Sequence, residues 1–228
     1  MQRVIWISGS TGNLGRAVTK RFADAGDRVL GTLFPGEAAP TASGGVIFEP
    51  LDLLDEPAVQ AKVRRDAAAH GGIDVAVLTA GGFAMGDLGN SSLEAMQAQI
   101  TLNFHTAYNA SRAILEEMRK KGRGSIFLIG ARPGLDSRFG KGMAAYSFAK
   151  SLIFRLSEMI NLESAGSGII CSVVVPSIID TPANRASMPG ADFGAWVSPE
   201  TIAETIYYYA SPAAAHLREP VLKVYGNS

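Results

Sequence analysis

The chain has 228 residues, 47% of them apolar, enough for one domain with one substantial core and cramped for two. Its 21 basic and 21 acidic side chains cancel, so no excess positive field points to nucleic acid or an anionic membrane, and a small-molecule ligand is the default partner. The single cysteine, Cys171 in "GIICSVVVP", excludes an internal disulfide, reads as core filler rather than nucleophile and fits a reducing compartment. At the N-terminus the chain runs directly into "RVIWISG", too short for a signal sequence or a membrane span, so the expected location is cytoplasmic. Short β-branched runs at 4–8, 28–33, 45–51, 74–79, 125–130, 169–175 and 221–225 predict seven strands, and stretches with helical spacing lie between them at 13–26, 55–71, 92–122 and 144–164. Strands apolar on both faces and joined by helices predict a doubly wound α/β domain over 1–228, a parallel sheet covered on each side. The irregular segment 177–198, rich in Pro, Ser, Gly and Asn, begins where a strand has just ended, the side on which ligands of such sheets bind.

Gly9, Gly12 and Gly15 form G-x-x-G-x-x-G between the first strand and the first helix. Glycines there let the backbone turn tightly and approach a pyrophosphate, and the helix N-terminus offers unpaired N–H groups. A plain strand-to-helix turn would explain the glycines alone; the flanking strand and amphipathic helix favour the nucleotide. Asp52, in "EPLDLLD", is placed either to accept the adenine amino group or to cap the helix that follows, and "TAGGF" (79–83) ends the fourth strand where a backbone passes close to something. Tyr146 and Lys150 are four apart on a helical stretch, so both project from one face. A phenol of ordinary pKa about 10 is a poor acid at neutral pH, and an adjacent ammonium is expected to lower it and make it a usable general acid.

Together "GSTGNLG", "LDL", "TAGG", Asn103 in "TLNFHTA", "YSFAK" and "PSIIDTP" resemble the short-chain dehydrogenase/reductase family, in its order and over nearly the whole chain. The resemblance implies a single Rossmann-type domain and an NAD(P)H-dependent oxidoreductase, with no metal. It implies Tyr146 as proton donor, Lys150 on the nicotinamide ribose and tuning Tyr146, and Asn103 supporting a proton-relay water. It implies a cofactor held by Gly9, Ser10, Thr11, Gly12, Asn13, Leu14, Gly15, Asp52, Leu53, Ala80, Gly81, Gly82, Pro176, Ile179 and Thr181, besides Tyr146 and Lys150. "AGGFAMGD" and "DTPANRASMPGADFGAW" (180–196) look, more narrowly, like the dihydropteridine reductase branch, which reduces quinonoid dihydropterins. Phe83, Ala131, Arg132, Met188 and Trp196 are the expected substrate-binding residues; Arg132 leaves the strand end facing the site, with an ordinary solvated loop as its alternative. Apolar stripes on helices around 93–120 and 146–163, which in this family pack between subunits, imply a homodimer or homotetramer; facing the sheet explains part of them.

Two departures sharpen the expectation. Most of the family ends the fifth strand with a serine that binds the reacting carbonyl, but "SIFLIGARPG" has Gly130 and Ala131 there, as dihydropteridine reductases also lack it. Ser137 is the nearest downstream hydroxyl. An acid that binds the ribose hydroxyls of NAD is also missing from Thr32, Leu33 and Phe34, which leans slightly to NADP(H), although the narrower likeness leans to NADH. The expected reaction is hydride transfer to a small conjugated C=O or C=N compound, quinonoid dihydropterin first. Another cyclic ketone or quinone is the alternative substrate. A non-catalytic NAD(P)-sensing regulator is the rival of a different class, and Tyr146, Lys150 and Asn103 speak against it.

Overall fold

The structure, a computed structural model, describes residues 2–41, 44–214 and 216–227. Seven strands form one parallel sheet: β1 (Val4–Ser8), β2 (Arg28–Leu33), β3 (Val46–Pro50), β4 (Val75–Leu78), β5 (Arg123–Ile129), β6 (Gly168–Pro176) and β7 (Val221–Val224). Their spatial order is β3-β2-β1-β4-β5-β6-β7, so the chain changes its direction of winding between β1 and β4. The crevice outside the carboxyl ends of those two strands is where open α/β sheets bind ligands.

Alternation along each strand divides the core in two. Val4, Trp6, Leu30, Ala76, Leu78, Ile126, Leu128 and Val173 face the helices α2 (Glu56–His70), α4 (Thr106–Lys121) and α6 (Ala144–Glu163), through Val59, Val63, Ile114, Met118 and Ile153. Ile5, Ile7, Val29, Val75, Val77, Phe127 and Val174 face α1 (Asn13–Asp24) and α8 (Pro199–Tyr209), through Leu14, Val18, Phe22, Ile202 and Ile206. Burial on both faces is why these strands read as continuous apolar runs. Cys171 lies in the first of these clusters, its thiol pushed up to about 12 by burial, as expected of core filler.

The predicted helix over 92–122 is interrupted. α3 (Leu93–Ile100) passes into one π turn, Thr101–His105, before α4 begins. Short α5 (Arg132–Leu135) and α7 (Pro182–Ser187) follow β5 and β6. The cap of α2 is Asp55, whose Oδ1 accepts from Ala58 N at 3.0 Å; Asp52 instead closes a tight turn, accepting from Leu54 N at 2.9 Å. α8 is capped in the same way by Ser198 on Thr201 N. α1 differs: its N-cap is Gly12, with no side-chain hydrogen bond. No helix among the described residues is long and apolar enough to cross a membrane.

Candidate active site

The loop between β1 and α1 is held by its own backbone. Gly12 N donates to Gly9 O at 3.0 Å, and Ser10 N and Oγ both donate to Thr32 O, at 3.0 and 2.8 Å. The Ser10 hydroxyl is therefore committed to the end of β2. Gly9 adopts φ +62°, and a Cβ there would stand 3.0 Å from Ala80 N. At Gly15 a Cβ would meet Gly9 C and Ser10 Cα at 2.9 Å and run into the Gly9 carbonyl oxygen. These close approaches bring the first turn of α1 against the loop with its N–H groups uncapped, an arrangement suited to a pyrophosphate. The residues present thus fit a dinucleotide.

Ala80, Gly81 and Gly82 continue the floor from β4. Thr79 Oγ1 donates to Ser8 O at 2.6 Å and Ala80 N to Ser8 Oγ at 3.3 Å, tying the ends of β1 and β4 together. Asn103, in the π turn, is buried; its Nδ2 donates to Gly82 O at 3.0 Å and its Oδ1 accepts from Gly82 N at 3.2 Å. The π turn shifts this side chain off the regular helical face, a use such turns have at functional sites. A Cβ on Gly81 would lie 2.7 Å from Asn103 Oδ1 and 3.5 Å from Lys150 Nζ, so Gly81, Asn103 and Lys150 converge.

Lys150 is buried, and its Nζ donates to the Ile129 carbonyl at the end of β5, at 2.8 Å. Its Nζ stands 5.9 Å from the centroid of the Tyr146 ring. Burial pushes the ammonium down to about 8 and the phenol up to about 12. This corrects the expectation that the neighbouring cation lowers the phenol: desolvation governs instead, and the phenol keeps its proton at neutral pH. Phe83, 56% exposed, sets its ring edge-on to Tyr146 with centroids 5.0 Å apart.

At the end of β5, Ala131 is buried and starts α5; Gly134 brings α5 onto the backbone of Lys150, where a Cβ would come within 2.7 Å of Lys150 C. Arg132 turns to aromatic neighbours, its guanidinium 3.9 Å from the Phe139 ring centroid and 4.7 Å from that of Tyr225, with a buried Nε that has no hydrogen-bond partner. Ser137 is exposed in a short 3-10 turn. Beyond β6, Ser177 N donates to Val224 O, Ile179 pairs with Val197 as an isolated bridge, and Thr181 caps α7 by accepting from Asn184 N at 3.2 Å. Met188 ends α7 half-buried, and Trp196 is buried with its ring 4.8 Å from that of Phe193. The structure therefore gathers Gly81, Gly82, Phe83, Asn103, Tyr146 and Lys150, whereas Arg132 stacks on Phe139 and Tyr225, Trp196 packs against Phe193, and the Met188 backbone N–H donates to Asn184 O.

A strand-first parallel sheet with a glycine loop at its switch point and a Tyr-Lys pair beside it defines a nucleotide-binding oxidoreductase. The chain matches the family described as short chain dehydrogenase over residues 3–191 and belongs to that family. It is an NAD(P)-dependent enzyme of this class. It is 28% identical, over an alignment 244 positions long that covers 98% of this chain and 96% of the relative, to the 2,3-dihydro-2,3-dihydroxybenzoate dehydrogenase of Escherichia coli. The 3-oxoacyl-acyl-carrier-protein reductase FabG of the same organism is 26% identical over 98% of this chain and 96% of its own length. Among solved structures, an oxidoreductase of the short chain dehydrogenase/reductase family from Burkholderia thailandensis superposes with a TM-score of 0.86 at 27% identity, covering 99% of this chain and 92% of that one.

Proposed function

We propose that this chain is a reductase of a small, conjugated C=O or C=N compound, with quinonoid dihydropterin the leading substrate class, Tyr146 donating the proton and Lys150 orienting the nicotinamide ribose. The nicotinamide, when bound, supplies the hydride. The glycine loop and the uncapped start of α1 hold its pyrophosphate. Lys150 would hold the nicotinamide ribose beside Tyr146, Asn103 would support a proton-relay water, and the half-buried, protonated phenol would deliver one proton to the atom that gains electron density. The substrate thereby gains a hydride and a proton, two electrons in all.

The observation that carries the substrate class is the apolar end of β5. Ala131, buried at 7% exposure, has no hydroxyl to offer a developing oxyanion. An isolated ketone concentrates that charge on one oxygen and suffers from the missing donor; a quinonoid ring spreads it over several atoms, so Tyr146 alone suffices. Phe83, edge-on to Tyr146 and more than half exposed, supplies a flat apolar wall suited to a ring. The dihydropteridine reductase branch itself rests on "AGGFAMGD" and on 180–196. Exposed Phe148, Met159 and Leu162 on α6 support a homodimer or homotetramer. The test is to mix the protein with NADH or NADPH and a panel of quinonoid dihydropterin, quinones and unactivated cyclic ketones, following nicotinamide absorbance. Much faster consumption with the quinonoid compounds is expected; equal rates on ketones overturn the substrate class.

A further inference from the structure

Thr32 and Leu33, the positions at which a ribose-binding acid is expected, are buried at the end of β2, and Phe34 beyond them has no charge. The chain then turns back. Phe34-Pro35-Gly36-Glu37 is a tight turn closed by Glu37 N donating to Phe34 O at 3.0 Å, with proline second and Gly36 third at φ +92°, the pattern of a type II turn. It returns the Glu37 carboxylate to the strand end, where Oε2 accepts from Phe34 N at 3.2 Å and from Thr11 Oγ1 at 2.7 Å. Thr11 belongs to the glycine loop, and Ser10 beside it is bonded to Thr32 O. A carboxylate therefore stands at the junction of the pyrophosphate loop and β2, about 20 residues beyond the glycine motif, the sequence distance at which dinucleotide folds place the acid that binds ribose hydroxyls.

We infer that Glu37 binds the adenine ribose hydroxyls and repels a 2′-phosphate, so that this chain prefers NAD(H) to NADP(H). This rests on the dinucleotide site described above and reverses the lean to NADP(H) drawn from residues 32–34. Both hydrogen bonds that the described residues give the carboxylate fall on Oε2, which leaves Oε1 to accept from a ribose hydroxyl. A phosphate on that hydroxyl would set a dianion against a carboxylate whose charge is fixed in place by Thr11. The neighbouring cation is Arg16, whose Nε donates to the Thr11 carbonyl at 2.6 Å. Its positive charge would favour a 2′-phosphate, so the test includes it.

The experiment is a titration of the purified protein with NADH and NADPH separately, by nicotinamide fluorescence and calorimetry, with no substrate present. Wild type is expected to bind NADH at least about tenfold more tightly, equivalent to about 1.4 kcal/mol. Glu37→Gln and Glu37→Ala, both at an exposed position, are expected to erase most of that ratio, chiefly by strengthening NADPH. Adding salt to wild type narrows the ratio, as screening of a like-charge pair requires. Arg16→Ala is expected to leave NADH the tighter ligand. Equal or tighter NADPH binding by wild type, an unchanged ratio in Glu37→Gln, or a selective loss of NADPH in Arg16→Ala overturns the role of Glu37. Failure of wild type to bind either nucleotide overturns the dinucleotide site as well, which separates the two failures.

Discussion

Gly15→Ala puts a single methyl group where the glycine loop and α1 touch. The added carbon would stand 2.9 Å from both Gly9 C and Ser10 Cα and closer still to the Gly9 carbonyl oxygen. Carbon atoms pack best at about 3.5–4.0 Å, so the overlap is roughly 0.6–1.1 Å. Every clashing atom is backbone, so no side chain can swing away to relieve it. Overpacking of this kind costs about 1–3 kcal/mol, more than the gain of at most about 1 kcal/mol that alanine brings to a helix. With that gain subtracted the net loss is up to about 2 kcal/mol, and at about 2–4 °C of Tm per kcal/mol for this chain length Tm is expected to fall by up to roughly 8 °C. Displacing the N–H groups of the loop should also weaken NADH by at least about tenfold. Gly12→Ala is the control, because a Cβ there meets only Gly9 O, at 3.4 Å. Thermal unfolding followed by circular dichroism and a fluorescence titration of NADH measure both effects. A Gly15→Ala protein with wild-type Tm and affinity would refute the close-packed loop as the reason for glycine.

The pH dependence turns on Lys150. Its ammonium is held down to about 8 against an ordinary 10.5, so the rate of reduction should fall as pH rises through about 8. Stability moves the other way: between about 8 and 10.5 the unfolded chain binds a proton that the native chain has lost, so this residue's share of stability rises with pH. Lys150→Met should remove that rise in a denaturant series and cost both turnover and nucleotide affinity; an unchanged pH slope would contradict the assignment. Ala131→Ser restores the donor missing from the end of β5 and should raise turnover of an unactivated cyclic ketone by about tenfold or more, narrowing its gap to a quinonoid substrate. No gain on ketones would show that another group already supplies the donor.

The sheet was legible because its inner strands are buried on both faces, which gives apolar, β-branched runs, and the ends of all seven predicted strands match the observed ones to within a residue or two. Tyr146, Lys150 and the three glycines were legible because local spacing alone puts them on one helix face or at one turn. What escaped depends on contacts distant in sequence or on small backbone irregularities. The π turn that carries Asn103 leaves no mark on a pattern continuous from Leu93 to Lys121. Asp55 rather than Asp52 caps α2 because the chain makes one more turn before the helix starts. Arg132 follows the strand end as a site residue would, yet Phe139 and Tyr225 draw its guanidinium into a stack. Glu37 lies four residues beyond the end of β2 and reaches it only through a turn, although "FPGE" carries the Pro-Gly signature of that turn. The expected lowering of the Tyr146 phenol failed because spacing says nothing of desolvation, which here pushes the phenol up.

The central claim, that the half-buried Tyr146 phenol on α6 gives the proton, is tested most directly by one comparison. Wild type and Tyr146→Phe are each loaded with NADH, mixed with quinonoid dihydropterin in a stopped-flow instrument, and followed through a single turnover by nicotinamide absorbance, with NADH affinity measured separately. The hydroxyl is the only group removed, so NADH binding should change little while the rate falls by roughly 10²-fold or more, the range of a lost general acid. A variant that binds NADH normally and turns over at close to the wild-type rate would contradict it and place the proton donor elsewhere.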